Sequence, residues 1–332
     1  MEPWRLPLTP VLACSLAAAV AIARADNVSL ELIATIPMPD VRGRIDHFAA
    51  DVGGHRLFVA ALGNNTVEVL DVASLRHRKS IPGFEEPQGL VYLPQSNRLF
   101  VANGDANRVD VLDAESLNVV RRVEDLDDAD NVRYDAAAGG VWVGYGNGAL
   151  RVLNAATSES LANISLAGHP ESFQLELRGS RVFVNVPTAQ QVAVVDRAKR
   201  AVIGTWPVRG AKSNFPMALD EQGKRLFVGA RSPAVMLVYD TDSGNVVARL
   251  PIGGDTDDLF FDPVRKRVYV VCGEGRVDVF LQEAAERYVA ETSVKTPARA
   301  RTGLFVPEDS RLYVAAPASG SSPARVLVYQ IK

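Results

Sequence analysis

Hydrophobic positions in this chain fall in short clusters at a fixed spacing. The recurring phrase is a basic or small residue, then Leu or Val, then an aromatic, then Val. Its seven copies are Arg56-Leu57-Phe58-Val59, Arg98-Leu99-Phe100-Val101, Gly140-Val141-Trp142-Val143, Arg181-Val182-Phe183-Val184, Arg225-Leu226-Phe227-Val228, Arg267-Val268-Tyr269-Val270 and Arg311-Leu312-Tyr313-Val314. From aromatic to aromatic the steps are 42, 42, 41, 44, 42 and 44 residues. Each cluster is too short for a helix and carries the β-branched and aromatic residues that suit a strand. A period in the low forties built from short strands predicts an all-β chain folded as a seven-bladed β-propeller.

One repeat supplies four antiparallel strands. Ile45–Ala49 reads as the first, Arg56–Ala60 as the second, Thr66–Asp71 as the third and His77–Ile81 as a more polar fourth. The turns between them, such as Asp51-Val52-Gly53-Gly54 and Leu62-Gly63-Asn64-Asn65, carry residues that tolerate positive φ. Val67-Glu68-Val69 alternates as a half-buried strand would. The last repeat lacks a fourth strand, and Ser29–Ile36 is an orphan strand ahead of the first repeat. Pairing the two gives twenty-eight strands, closes the ring and leaves no open sheet edge.

Residues 1–25 stand outside the repeat. Arg5, the apolar run Val11–Ala23 and Ala23-Arg24-Ala25 before Asp26 have the layout of a cleaved signal peptide. This predicts a periplasmic or secreted protein whose single domain is the propeller of residues 26–332, with no stable membrane span after cleavage. Of the two cysteines, Cys14 and Cys272, only Cys272 would remain. An internal disulfide is then excluded, and Cys272 reads as a buried thiol.

Composition is that of an ordinary globular domain, 47% hydrophobic and 23% charged. A net charge of −3 with no long run of one sign argues against nucleic acid as a partner.

Candidate chemistry lies where the first strands begin, because these strands line the central channel of a propeller. Aligned on the apolar residue that follows, one ring position holds Asp46, Gln88, Asp130, Glu171, Phe215, Asp257 and Thr302. The next holds His47, Gly89, Asn131, Ser172, Pro216, Asp258 and Gly303. Four carboxylates aimed at one axis repel one another and call for a cation, protons or a cationic partner. His169 and Asn214 lie beside the ring, and Arg231 and Arg301 are placed to grip a carboxylate or phosphate. The expected ligand is a small polar molecule or a metal ion. Asp46, Asp130, Glu171 and Asp257 are the expected metal ligands, and Ca²⁺ or Mg²⁺ suits so many hard oxygens, with a histidine shifting the preference toward a transition metal. His55 and His77 read as solvated surface. The sequence holds no Gly-x-Gly-x-x-Gly after a strand, no Cys-x-x-Cys, no His-Glu-x-x-His and no Gly-x-Ser-x-Gly.

Blades that read Arg-Leu-Phe-Val-Ala followed by Asn-x-Val-x-Val-Leu-Asp resemble the YVTN-type propeller repeat. Over residues 29–332 the chain resembles the exported bacterial YncE-like proteins, which are related in fold to lactonase-like propellers and to the propeller of nitrous oxide reductase. The resemblance implies the propeller fold and no single activity. Metal-dependent propeller lactonases hold a divalent ion with Glu, Asn and Asp. Here Glu171, Asn131 or Asn214, and Asp257 or Asp130 would supply such a set.

Three readings of the channel mouth follow. It binds a small polar ligand or divalent cation without turnover. Alternatively, it is a metal-dependent hydrolase of a lactone or ester, with His47 as the candidate general base. In the third, one face of the ring binds a protein partner and the acids are incidental.

Overall fold

The computed structural model of the protein describes Met1 and residues 29–332. Residues 2–28, which hold the expected leader, lie outside the described residues. Seven separate four-stranded antiparallel sheets follow one another along the chain. In blade 1 the strands are Phe48–Asp51, Arg56–Ala61, Thr66–Asp71 and Arg76–Pro82, and blades 2 to 6 span residues 87–123, 132–165, 173–207, 212–251 and 256–295 in order. Blade 7 is built from both ends of the chain. Gly303–Val306, Arg311–Ala316 and Ala324–Ile331 are joined by the N-terminal strand Leu30–Met38, which runs antiparallel to Ala324–Ile331. Apart from three single 3-10 turns the described residues contain no helix, and none is long and apolar enough to cross a membrane.

The recurring phrase explains how the blades stack. Both faces of each second strand are buried, with Phe58, Phe100, Phe183, Phe227, Tyr269 and Tyr313 all 0% exposed. The aromatic of one blade packs into the core of the next. Phe58 meets Leu90, Leu99 and Val101 of blade 2, and Phe227 meets Leu259, Val268 and Val270 of blade 6. Tyr313 of blade 7 completes the circle against Leu57 and Val59 of blade 1. Truncating a buried aromatic of this kind costs about 3–5 kcal/mol.

The basic residue that opens the phrase has its own task. Arg56 donates to Ala114 O of blade 2 at 2.6 Å, Arg225 to Ala285 O of blade 6 at 2.9 Å, and Arg181 to Thr241 O of blade 5. Arg311 of blade 7 reaches Val72 O beside blade 1 at 3.4 Å, which ties the ring shut a second time. These arginines satisfy carbonyls that the next blade's own ladder leaves open.

Burial of both faces also corrects the reading of the third strands. Glu68 is not half-exposed but 0% exposed, and it accepts hydrogen bonds from His77 Nε2 and Ser80 Oγ, each at 2.6 Å. His77 is therefore a buried carboxylate's partner and not free surface. Asp110, at the equivalent place in blade 2, takes Arg108 Nε at 3.1 Å and Arg122 Nε at 3.2 Å. In a stacked blade, alternation marks which neighbouring blade a side chain faces, not whether it meets water.

Candidate functional site at the channel mouth

The site is built on a repeated irregularity. In blade 1 Ala60 O accepts from Asp46 N–H at 2.7 Å while Ala60 N–H donates to His47 O at 3.0 Å. Two consecutive residues thus oppose one, which is a β-bulge. Blade 3 repeats it with Asp130 and Asn131 opposite Gly144, and blade 4 with Glu171 and Ser172 opposite Asn185. The ladder of blades 2, 5 and 6 shifts register at the same place. A bulge re-aims neighbouring side chains, so both ring positions can serve one cavity.

Strand register corrects the alignment in blade 7. Phe48, Leu90, Val132, Phe173, Met217 and Leu259 pair with the Val that closes the recurring phrase, and in blade 7 the residue paired with Val314 is Gly303. The first ring position is therefore held by Arg301, and Thr302 takes the second. An apolar side chain is missing there because a Cβ on Gly303 would lie 2.5 Å from Tyr313 O.

The cavity at the mouth has a volume of about 220 Å³. Gln88, Asp130, Glu171, Phe215, Asp257 and Arg301 of the first ring line it, together with His47, Asn131, Ser172, His169, Asp128, Arg44 and Arg231. Its charges are sorted into two halves. On one side the 8%-exposed Asp257 takes Arg231 Nη2, Arg301 Nε at 2.9 Å and Arg44 Nη2 at 3.7 Å. Arg44 also meets Asp46 at 3.1 Å, and Arg301 meets Asp255 at 2.9 Å. Arg231 stacks 4.0 Å above the centre of the Phe215 ring. Burial nevertheless pushes the Asp257 carboxyl up, against the pull of Arg231, to about 6.

On the other side, Asp130, His169 and Glu171 hold ligand atoms that all lie within 4.8 Å of one another. His169 Nε2 is 3.6 Å from Asp130 Oδ2, and its Nδ1 is 2.7 Å from Gly146 O. Burial and the charge of Asp130 push the Glu171 carboxyl up to about 8. Burial would lower His169, but the neighbouring Asp130 carboxylate raises it to about 9. Burial would likewise raise Asp130, but His169, His47 and Arg44 hold it down. The carboxamide oxygen of Asn131, a residue 2% exposed, is buried without a partner.

His47 stands between the halves, with Asp258 Oδ2 3.4 Å from Nδ1 and Asp46 Oδ1 3.8 Å from Nε2. Burial would lower it, but Asp258 and Asp46 raise it to about 10. At neutral pH it carries a proton and donates, which does not fit the general-base role considered for it. Asp258 lies one step deeper in the channel, where it accepts the Gly303 N–H at 2.9 Å. Asn214 does not reach the cavity. It is 0% exposed and bonds Asn185 Oδ1 at 2.9 Å and Gln191 O at 3.2 Å.

The expected four-carboxylate cage is thus divided. Asp46 and Asp257 are met by arginines, whereas Asp130 and Glu171 share their space with His169. Arg44 is the residue that sequence reasoning passed over. Its signal was present, since it stands two residues before Asp46 in Gly43-Arg44-Ile45-Asp46.

No protein-family model and no curated protein matches the chain. Among solved structures it is similar to a chain in the crystal structure of the mitotic checkpoint complex, with a TM-score of 0.78 and 14% identity, over 97% of this chain and 99% of that one. It is also similar to a chain of Kuenenia stuttgartiensis hydrazine synthase, with a TM-score of 0.72 and 16% identity, over 92% and 97% of the two chains. At such identities the likeness speaks for the fold alone. The chain is a seven-bladed β-propeller, a fold that suits ligand binding or an interaction scaffold.

Proposed function

We propose that this protein is an exported propeller of the YVTN-repeat, YncE-like type that binds a small polar ligand at the channel mouth, with a divalent cation held by Asp130, His169 and Glu171. The convergence of those three side chains carries the reading. Glu171 makes no side-chain hydrogen bond or ion pair among the described residues, and the orphaned Asn131 oxygen offers a further ligand atom beside Asp130. Two carboxylates and one imidazole favour Mn²⁺, Co²⁺ or Zn²⁺ over Ca²⁺, which prefers six or more oxygens, and binding such an ion would release the protons that His169 and Glu171 hold in its absence. The arginine half of the cavity would face an anionic group on the bound molecule. Asp46 and Asp257 are not ligands in this reading, because arginines already neutralise them.

The test is calorimetric titration of the chelator-treated protein with Mn²⁺, Zn²⁺ and Ca²⁺, with a thermal melt of each sample. One transition-metal ion per chain and a raised melting temperature are expected, both lost in a Glu171→Gln, His169→Ala double variant. Absence of stoichiometric binding would overturn the cation. Acid release from a lactone that stops on chelation would replace pure binding with hydrolysis.

A further inference from the structure

Below the mouth, the channel changes character. Two residues after the bulge, the inward positions are Ala49, Val91, Gln174, Ala218, Phe260 and Leu304, with Arg133 as the one charged member of the ring. All but Ala218 line a second cavity, of about 300 Å³, and Ala218 lines an adjoining one of about 200 Å³ that shares Arg133, Gln174, Asp258 and Phe260. The lining continues outward to the far face of the ring, where Leu219, Phe261 and the 86%-exposed Leu177 line an outer pocket together with the polar rim of Arg178, Asp220 and Glu221.

Arg133 is poorly compensated for a guanidinium in such a place. Its hydrogen bond is to Val132 O, at 2.9 Å, and its cation stands 5.6 Å from the centre of the Phe173 ring. Among the described residues no carboxylate oxygen forms an ion pair with it within 4.0 Å. Asp258 and Asp130 act on it only from a distance, and Asp258 is already engaged by His47 and the Gly303 N–H. A guanidinium does not shed its proton in a protein, so the remaining N–H donors keep their charge and face the cavity. Arg133 is half-buried and has no bonded anion, so a carboxylate brought against it would gain a charge-assisted contact at little desolvation cost to the arginine.

We propose that this lower half of the channel is a second binding site, open to the far face, for an organic carboxylate with an apolar or aromatic body. The carboxylate would meet Arg133 in a fork, with the Gln174 amide beside it, and the body would lie against Phe260, Leu304 and Val91. A hydrated inorganic anion does not suit walls of Val, Phe and Leu. Access is from the far face, where the lining runs out past Leu219 and Phe261 to the exposed Leu177. The site shares His47 and Ser172 with the mouth but none of the three side chains proposed to hold the cation.

The experiment compares 3-phenylpropionate with its uncharged amide by calorimetric titration of the purified protein. Saturable one-to-one binding of the carboxylate is expected, with the amide weaker by about tenfold or more, the worth of one charge-assisted contact. Arg133→Met should remove that preference, and Leu304→Trp, which fills the funnel without touching the charge, should weaken both probes. Chelator should leave carboxylate binding unchanged, which separates this site from the mouth. Equal binding of acid and amide, retained preference in Arg133→Met, or no saturation at millimolar probe would overturn the proposal. Far-ultraviolet circular dichroism and a melt of each variant confirm that the ring is folded.

Discussion

Asp257 Oδ2 and Arg301 Nε lie 2.9 Å apart at the rim of the channel, joining blade 6 to blade 7. Asp257 is 8% exposed and also takes Arg231 and Arg44, so it is the hub of three cations. Removing the hub leaves three crowded guanidinium groups with too little counter-charge. Asp257→Ala should cost about 1–3 kcal/mol, less than for a fully buried pair because the arginines left behind are partly exposed. Arg301→Ala should cost less, because the Arg301 side chain is 22% exposed and two arginines remain. Urea unfolding measures both, and an Asp257→Ala protein as stable as the parent would refute the hub.

Ring closure makes a second prediction. Leu30, Ile36 and Met38 of the N-terminal strand are at most 1% exposed, and the strand covers the edge of Ala324–Ile331. Deleting Leu30–Met38 bares that edge and should give aggregated protein by size-exclusion chromatography. The point variant Ile36→Ala should remain monomeric and lose about 2–5 kcal/mol in the same unfolding assay. A monomeric deletion protein with an unchanged melting temperature would contradict closure by this strand.

The Glu68–His77 pair sets a pH dependence. Its hydrogen bond to Glu68 raises the pKa of His77 from its ordinary 6.5. Burial would raise Glu68, but the hydrogen bonds from His77, Ser80 and Thr66 hold it below its ordinary 4.5. The histidine's contribution to stability is complete below 6.5 and is lost as pH rises through its raised folded value. The carboxylate's contribution is complete above 4.5 and is lost as pH falls through its lowered folded value. His77→Gln should therefore flatten the alkaline side of the curve of stability against pH and leave the acid side less affected. Identical alkaline slopes in parent and variant would refute the coupling.

Cys272 should be inert in the folded protein. It is 0% exposed, and burial pushes its thiol up to about 12. Alkylation mapped by mass spectrometry should find the Cys272 peptide unmodified in native buffer and fully modified in denaturant. Rapid native labelling would mean that this blade opens readily.

Much of the fold was legible in the chain itself because a propeller is a local repeat. Four strands with short turns are specified within about forty residues, and the spacing of the aromatics counts the blades. The orphan strand at Ser29–Ile36 was legible for a related reason, since a blade short of one strand must find its edge partner elsewhere. The sequence also located the mouth, because the starts of first strands converge wherever the ring closes.

What the sequence could not decide was who neutralises whom. Aligned on apolar residues, it placed Thr302 in the first ring, and only the pairing of Gly303 with Val314 put Arg301 there. It grouped Asp46, Asp130, Glu171 and Asp257 by position, whereas their environments depend on Arg44, Arg231 and His169, brought in from separate parts of the ring. It read Glu68 and His77 by strand alternation, which blade stacking overrides. Local repetition dictates strands, turns and the number of blades, because those depend on neighbours along the chain. The pairing of Asp257 with Arg44, Arg231 and Arg301, burial of both sheet faces and the placement of Arg133 in the channel depend on residues tens to hundreds of positions apart, so the closed ring alone decides them.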